Sequence, residues 1–122
     1  MSSDESSPFV GIWAGEWQAL HRNGTMSLTV TESGKIHGET TDARAALSGK
    51  LTGEVTPRGE WTYAYTFGKT FRSGRGTMTA PQDDTVNASF KDFANGVLEQ
   101  EGVCVFKKQE PVPTAVVEEA VA

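Results

Sequence analysis

The chain has 122 residues, 37% of them hydrophobic, and a formal net charge of −5. That is enough for one domain with a real core, and it holds nowhere the roughly 20 consecutive apolar residues of a membrane-crossing helix. Setting aside Asp4, Glu5, Lys108, Glu110, Glu118 and Glu119 leaves ten bases and eleven acids in 6–107, too balanced for a general phosphate-backbone binder.

Residues 1–7 are polar and acidic, with no basic start and no apolar stretch, and read as a disordered leader rather than a secretory signal. The single Cys104 has no disulfide partner, so a reducing, cytoplasmic setting is expected. From Phe9 onward, turn residues recur at the spacing of about 8–12 residues that marks a β-meander: Asn23-Gly24, Ser33-Gly34, Pro57-Arg58-Gly59, Gly68-Lys69, Pro81-Gln82-Asp83-Asp84 and Asn95-Gly96. Between them lie eight expected strands, 9–21, 25–31, 35–41, 47–56, 60–67, 70–80, 85–93 and 97–107, and no segment holds a helical period.

Turn chemistry predicts the registers. A two-residue turn at Asn23-Gly24 pairs Trp17 with Val30, Ala19 with Leu28 and His21 with Met26. A three-residue loop ending in Gly34 pairs Val30 with Ile36 and Leu28 with Gly38. Loop Pro57-Arg58-Gly59 pairs Val55 with Trp61, Gly53 with Tyr63 and Leu51 with Tyr65. Turn Gly68-Lys69 pairs Tyr65 with Arg72, Tyr63 with Gly74 and Trp61 with Gly76. Each register places apolar residues and glycines on one face: Trp13, Trp17, Leu28, Val30, Ile36, Leu51, Val55, Trp61, Tyr63, Tyr65, Phe67, Met78, Val86 and Phe90. Glycine opposite a large ring relieves crowding inside a small barrel.

The expected fold is all-β: a single eight-stranded antiparallel up-and-down barrel over 8–108, closed so that no edge remains, with an open or sandwiched meander as the alternative. Residues 109–122 contain prolines, small residues and glutamates and read as a flexible acidic tail.

The opening strand carries Phe9-Val10-Gly11-Ile12-Trp13, whose Gly-x-Trp resembles that of the calycin barrels, the group of lipocalins, fatty-acid-binding proteins and avidins. The resemblance implies a barrel plugged at one end by Trp13, with a ligand at the open end. It also implies an Arg of the last strand across that Trp; here Lys107 and Lys108 are the candidates. The avidin biotin pattern is not recognisable, so no family ligand residues carry over. Separately, Gly74-Arg75-Gly76-Thr77-Met78 followed by Asp84 and Phe90 resembles one unit of a MORN-type hairpin repeat, whereas a stacked array needs about three.

Strand direction brings the turns 21–24, 41–46, 68–69 and 94–96 to one end, the mouth, opposite the Trp13 plug. His21, Met26, Thr40, Tyr65, Arg72 and Asp92 are the inward positions there. One reading is a ligand site of Trp17, His21, Tyr63, Tyr65, Arg72 and Asp92, in which Arg72 grips a carboxylate or phosphate, His21 and Tyr65 orient it, and Trp17 and Tyr63 stack on its apolar body. The other is that these rim residues reach water, with Arg72 stacking on Tyr65 or pairing with Asp92. His37 falls outside, no metal-ligand spacing exists, and Cys104 faces the core as an inert thiol. Glu99 and Glu101 point outward if the last hairpin turns on Ala94-Asn95-Gly96, and inward if it turns on Asn95-Gly96 alone. The bases Lys69, Arg72 and Arg75 lie beside rings that face inward, away from any nucleic acid.

The expected function is non-enzymatic binding of a small apolar anion at the mouth, with no cofactor and no metal. The alternative is an accessory or scaffold protein that works through its barrel wall and its tail, where Pro113, Val116 and Val117 would meet a protein partner. Isomerase or decarboxylase chemistry, which small barrels can host, is the third option.

Overall fold

Buried and exposed side chains alternate most cleanly over residues 23–30, where Gly24, Met26, Leu28 and Val30 are buried while Asn23, Thr25, Ser27 and Thr29 are exposed. In a computed structural model, which describes residues 7–43 and 47–110, eight strands close into one antiparallel barrel. They are β1 (Gly11–Ala19), β2 (Asn23–Val30), β3 (Lys35–Asp42), β4 (Leu47–Val55), β5 (Glu60–Phe67), β6 (Thr70–Met78), β7 (Thr85–Ala94) and β8 (Val97–Gln109). Each pairs with the next, and β8 closes on β1 with Ile12 opposite Gln109 and Trp17 opposite Cys104. No helix among the described residues is long and apolar enough to cross a membrane.

Four expected registers can be compared directly. Val30–Ile36, Val55–Trp61 and Tyr65–Arg72 pair as the turn residues predict. The first hairpin does not: Trp17 faces Gly24 and Trp13 faces Leu28. The chain reverses at 20–22, and Asn23-Gly24 begins β2 instead of forming the turn. Gly24 is there for clearance, since a Cβ would lie 1.8 Å from the Thr41 carbonyl oxygen and 2.8 Å from Trp17 Nε1. The slip is an even number of residues, so every side chain keeps its face.

Inside, cross-strand rows alternate ring and glycine. Trp61, Gly76, Phe90 and Gly102 form one row, and Gly53, Tyr63, Gly74, Asp92 and Gln100 form the next toward the mouth. Along β5, Trp61, Tyr63, Tyr65 and Phe67 line up with successive ring centroids 4.5, 6.0 and 4.9 Å apart. Phe9, Trp13, Trp17, Phe90 and Phe106 fill the remainder and are each no more than 3% exposed. The void lined by Phe9, Trp13, Leu28, Val30, Met78, Val86 and Phe106 holds about 10 Å³, roughly the space of one water-sized probe.

The end opposite the mouth is tied down by polar contacts. Ser7 N donates to the Glu32 carbonyl at 2.8 Å, and Trp13 Nε1 donates to the Phe9 carbonyl at 2.7 Å. Lys108 pairs with Trp13 and holds its Nζ 5.9 Å from the ring centroid. The β6–β7 reversal puts Asp83 and Asp84 at φ of 55° and 60°, where a Cβ is disfavoured. Asp84→Gly is therefore expected to stabilise the barrel by up to about 1 kcal/mol, read as a higher urea midpoint; an unchanged or lower midpoint would show that the aspartate earns its place there.

Candidate functional site

Cross-strand pairing converges on Asp92. Gly74, which separates it from Tyr63 along the row, has no side chain to intervene, and the phenol crosses the gap to donate to Asp92 Oδ1. Tyr65, one pleat nearer the mouth, donates to Oδ2 at 2.7 Å, as does Gln100 Nε2 at 2.7 Å. Asp92 is 2% exposed, so three donors supply what water would otherwise give a buried carboxylate.

Burial, and after it the Asp92 carboxylate, hold the Tyr63 hydroxyl far above its ordinary value of 10.0; the same two causes raise Tyr65, partly offset by Arg72. The unfolded chain thus releases these phenolic protons first. Stability contributed by the protonated phenols is complete below about pH 10 and drains away as the pH rises further. The urea midpoint is expected to fall through that range, and the Tyr63→Phe/Tyr65→Phe double variant should fall less steeply. Parallel slopes would contradict the assignment.

Arg72, which is opposite Tyr65 on β6, does not pair with Asp92. Its Nη2 donates to Glu99 Oε1 at 3.0 Å, and its Nε, sealed from solvent, has no acceptor among the described residues. The last hairpin explains Glu99. It turns on Asn95-Gly96, both at positive φ, so Ala94 pairs with Val97. Between Phe93–Leu98 and Asp92–Gln100 the register then shifts by one, leaving Glu99 as the extra residue of a β-bulge. The bulge restores the outward face for Glu101, opposite Lys91, while Glu99 turns to Arg72 with its side chain 41% exposed. The hairpin thus turns on Asn95-Gly96 alone and not on the three-residue loop Ala94-Asn95-Gly96, and the bulge restores below it the parity that the longer loop would have given.

Of the residues expected at the mouth, Trp17, Met26, Thr40, Tyr63, Tyr65, Arg72 and Asp92 are buried. Trp17 donates its Nε1 to the Thr41 carbonyl at 2.9 Å and meets Phe90 edge-on at 6.0 Å. His21 is the exception. With the reversal at 20–22 it lies exposed on a loop, beside a shallow depression with Gln18, Arg22, Asn23 and Ala43, rather than inside the barrel. His37 is exposed on the outer wall. Cys104 is 1% exposed, and burial together with the Glu16 carboxylate pushes its thiol up to about 12, which leaves little thiolate at neutral pH. Among the described residues no cluster of three or more His, Cys, Asp or Glu is placed to hold a metal ion. Pro113, Val116 and Val117 lie outside the described residues, as does the leader before Ser7.

A further feature surrounds this network. Leu20 (87% exposed), Leu47, Phe71 (62%), Val97 (65%) and Leu98 all project into solvent at the mouth end. Val103 and Val105 extend the apolar surface down the outside of β8, and the described turns at the opposite end expose no large apolar side chain. The signal was present in the sequence for Leu20 and Phe71, apolar residues next to turns on the outward parity of their strands, a parity that core-seeking leaves unexamined; Leu47 shares the inward parity of Leu51 and Val55 and is exposed because it begins its strand at the mouth. No protein-family model matches the chain, and no curated protein matches it closely.

Proposed function

We propose that this barrel is a binding module that engages a protein partner end-on, through the apolar collar around its mouth, and catalyses no reaction. One observation carries the reading: Leu20, Leu47, Phe71, Val97 and Leu98 gather at one end of a barrel whose other end is polar. Contiguous exposed apolar surface of a few hundred Å² marks interaction sites on soluble proteins. The filled interior supports the same reading, since rings occupy the space a ligand would take. The plugged end keeps a calycin-like character, with Lys108 over Trp13 where the resemblance implies an Arg.

A photo-crosslinking residue placed at Leu98 is expected to yield a discrete protein adduct in cells expressing the chain, and one placed at Arg58, at the far end, is not. Equal labelling from both ends, or none from Leu98, would overturn the proposal.

A second reading, a small apolar anion held at the mouth, is favoured by one observation, the Arg72 Nε without an acceptor among the described residues. A charge-assisted bond is worth about 1.5–3 kcal/mol. Arg72→Ala is then expected to weaken such a ligand about ten- to a hundredfold, measured by native mass spectrometry of the purified protein. A clean apo mass before and after the substitution would rule this reading out.

A further inference from the structure

Arg72 is 9% exposed, and Glu99 takes only its Nη2, leaving the adjacent Nε unanswered among the described residues. A guanidinium presents a rigid fork suited to two parallel bonds with one carboxylate, so Glu99 is an incomplete partner. It is also a replaceable one, half-exposed on a bulge and flanked by the exposed Val97 and Leu98. An incoming carboxylate bound side-on to Nε and Nη2 would satisfy the orphan donor, and apolar residues beside that carboxylate would cover the collar. The chemistry asked for is an acidic group next to branched apolar side chains.

The chain carries such a segment, Val116-Val117-Glu118-Glu119-Ala120-Val121. We infer that the mouth of one copy receives residues 111–122 of another, with Glu118 or Glu119 displacing Glu99 from Arg72; this rests on the collar reading above. Geometry favours the second copy over the same one. Gln109 lies beside Ile12 at the plugged end, and β8 uses the ten steps from Glu99 to Gln109 to get there. The nine residues from Gln109 to Glu118 span at most about 30 Å when fully extended. That matches the length of strand to be retraced and leaves nothing for the reversal. A contact from the end of one copy to the mouth of the next is heterologous, so it adds copies in a row unless the rotation happens to close a ring.

Sedimentation velocity of the full chain over a wide concentration range tests this. Reversible association is expected, competed by a synthetic peptide of residues 109–122 and weakened by salt. Glu118→Gln/Glu119→Gln, which leaves the barrel sequence untouched, should weaken association about tenfold, and Arg72→Met should do the same. Glu99→Gln, by loosening the internal competitor, should tighten it several-fold. A monomer at every concentration, or association indifferent to Glu118 and Glu119, overturns the inference. If Phe71→Ser reduces the Leu98 crosslink while the glutamate variant leaves it intact, the collar stands and the partner is another protein.

Discussion

Asp92→Ala is expected to destabilise the barrel by about 3–5 kcal/mol, because three neutral donors lose the one acceptor they share. The substitution strips the acceptor from the Tyr63 and Tyr65 hydroxyls and from Gln100 Nε2, and a buried donor left without a partner forfeits about 1–3 kcal/mol. Urea unfolding should show a lower midpoint at an unchanged slope, since the surface exposed on unfolding is the same. Combining Asp92→Ala with Tyr63→Phe should cost less than the two single losses added together, because both delete the same bond. A drop of under about 1 kcal/mol for Asp92→Ala would mean that water enters the mouth and takes over the carboxylate's role.

Gly76→Val is expected to cost a comparable amount, for a steric reason. A Cβ at Gly76 would lie 1.8 Å from the Ser89 carbonyl oxygen and 2.9 Å from Phe90 Cα, both backbone atoms of the next strand. The same Ser89 carbonyl accepts the Trp61 indole N–H at 3.0 Å. Making room therefore moves β7 away from β6 and strips a buried indole of its acceptor. Overpacking alone usually costs about 1–3 kcal/mol, and stranding the buried indole N–H adds about 1–3 more. Against a typical total of about 5–15 kcal/mol, the urea midpoint should fall by a large fraction of its value. Gly68→Ala is the control. A Cβ there meets nothing within 4 Å, and the only objection is a φ of +59°, so the loss should stay near 1 kcal/mol. Equal losses at the two positions would contradict the packing account.

The barrel was legible because its registers over-determine one another. Trp61 opposite Gly76 follows from the Gly68-Lys69 turn alone, and Trp61 opposite Val55 follows separately from Pro57-Arg58-Gly59; both hold. Asn23-Gly24 misleads because two demands select glycine. One is a backbone turn, and the other is clearance under the Trp17 indole, which sequence alone cannot tell apart from the first. His21 was drawn into the site by that error. The inward facing of Arg72 and Asp92 was readable from parity, but their partners were not. Whether Arg72 meets Asp92 or Glu99 depends on a single extra residue in β8, and a bulge below a two-residue turn leaves the same downstream parity as a three-residue loop.

The seam between β1 and β8 sets a timing constraint. Ile12 and Gln109 are partners, so nearly the whole domain must leave the ribosome before the sheet can close. Until then β1 and the newest strand each present unpaired N–H and C=O groups along an edge, open to any neighbouring chain. Pairing across so long a loop is also among the slower events in folding. The nascent barrel is therefore most vulnerable to aggregation just before its last strand arrives, and the speed at which β8 is synthesised bears directly on how much barrel is made.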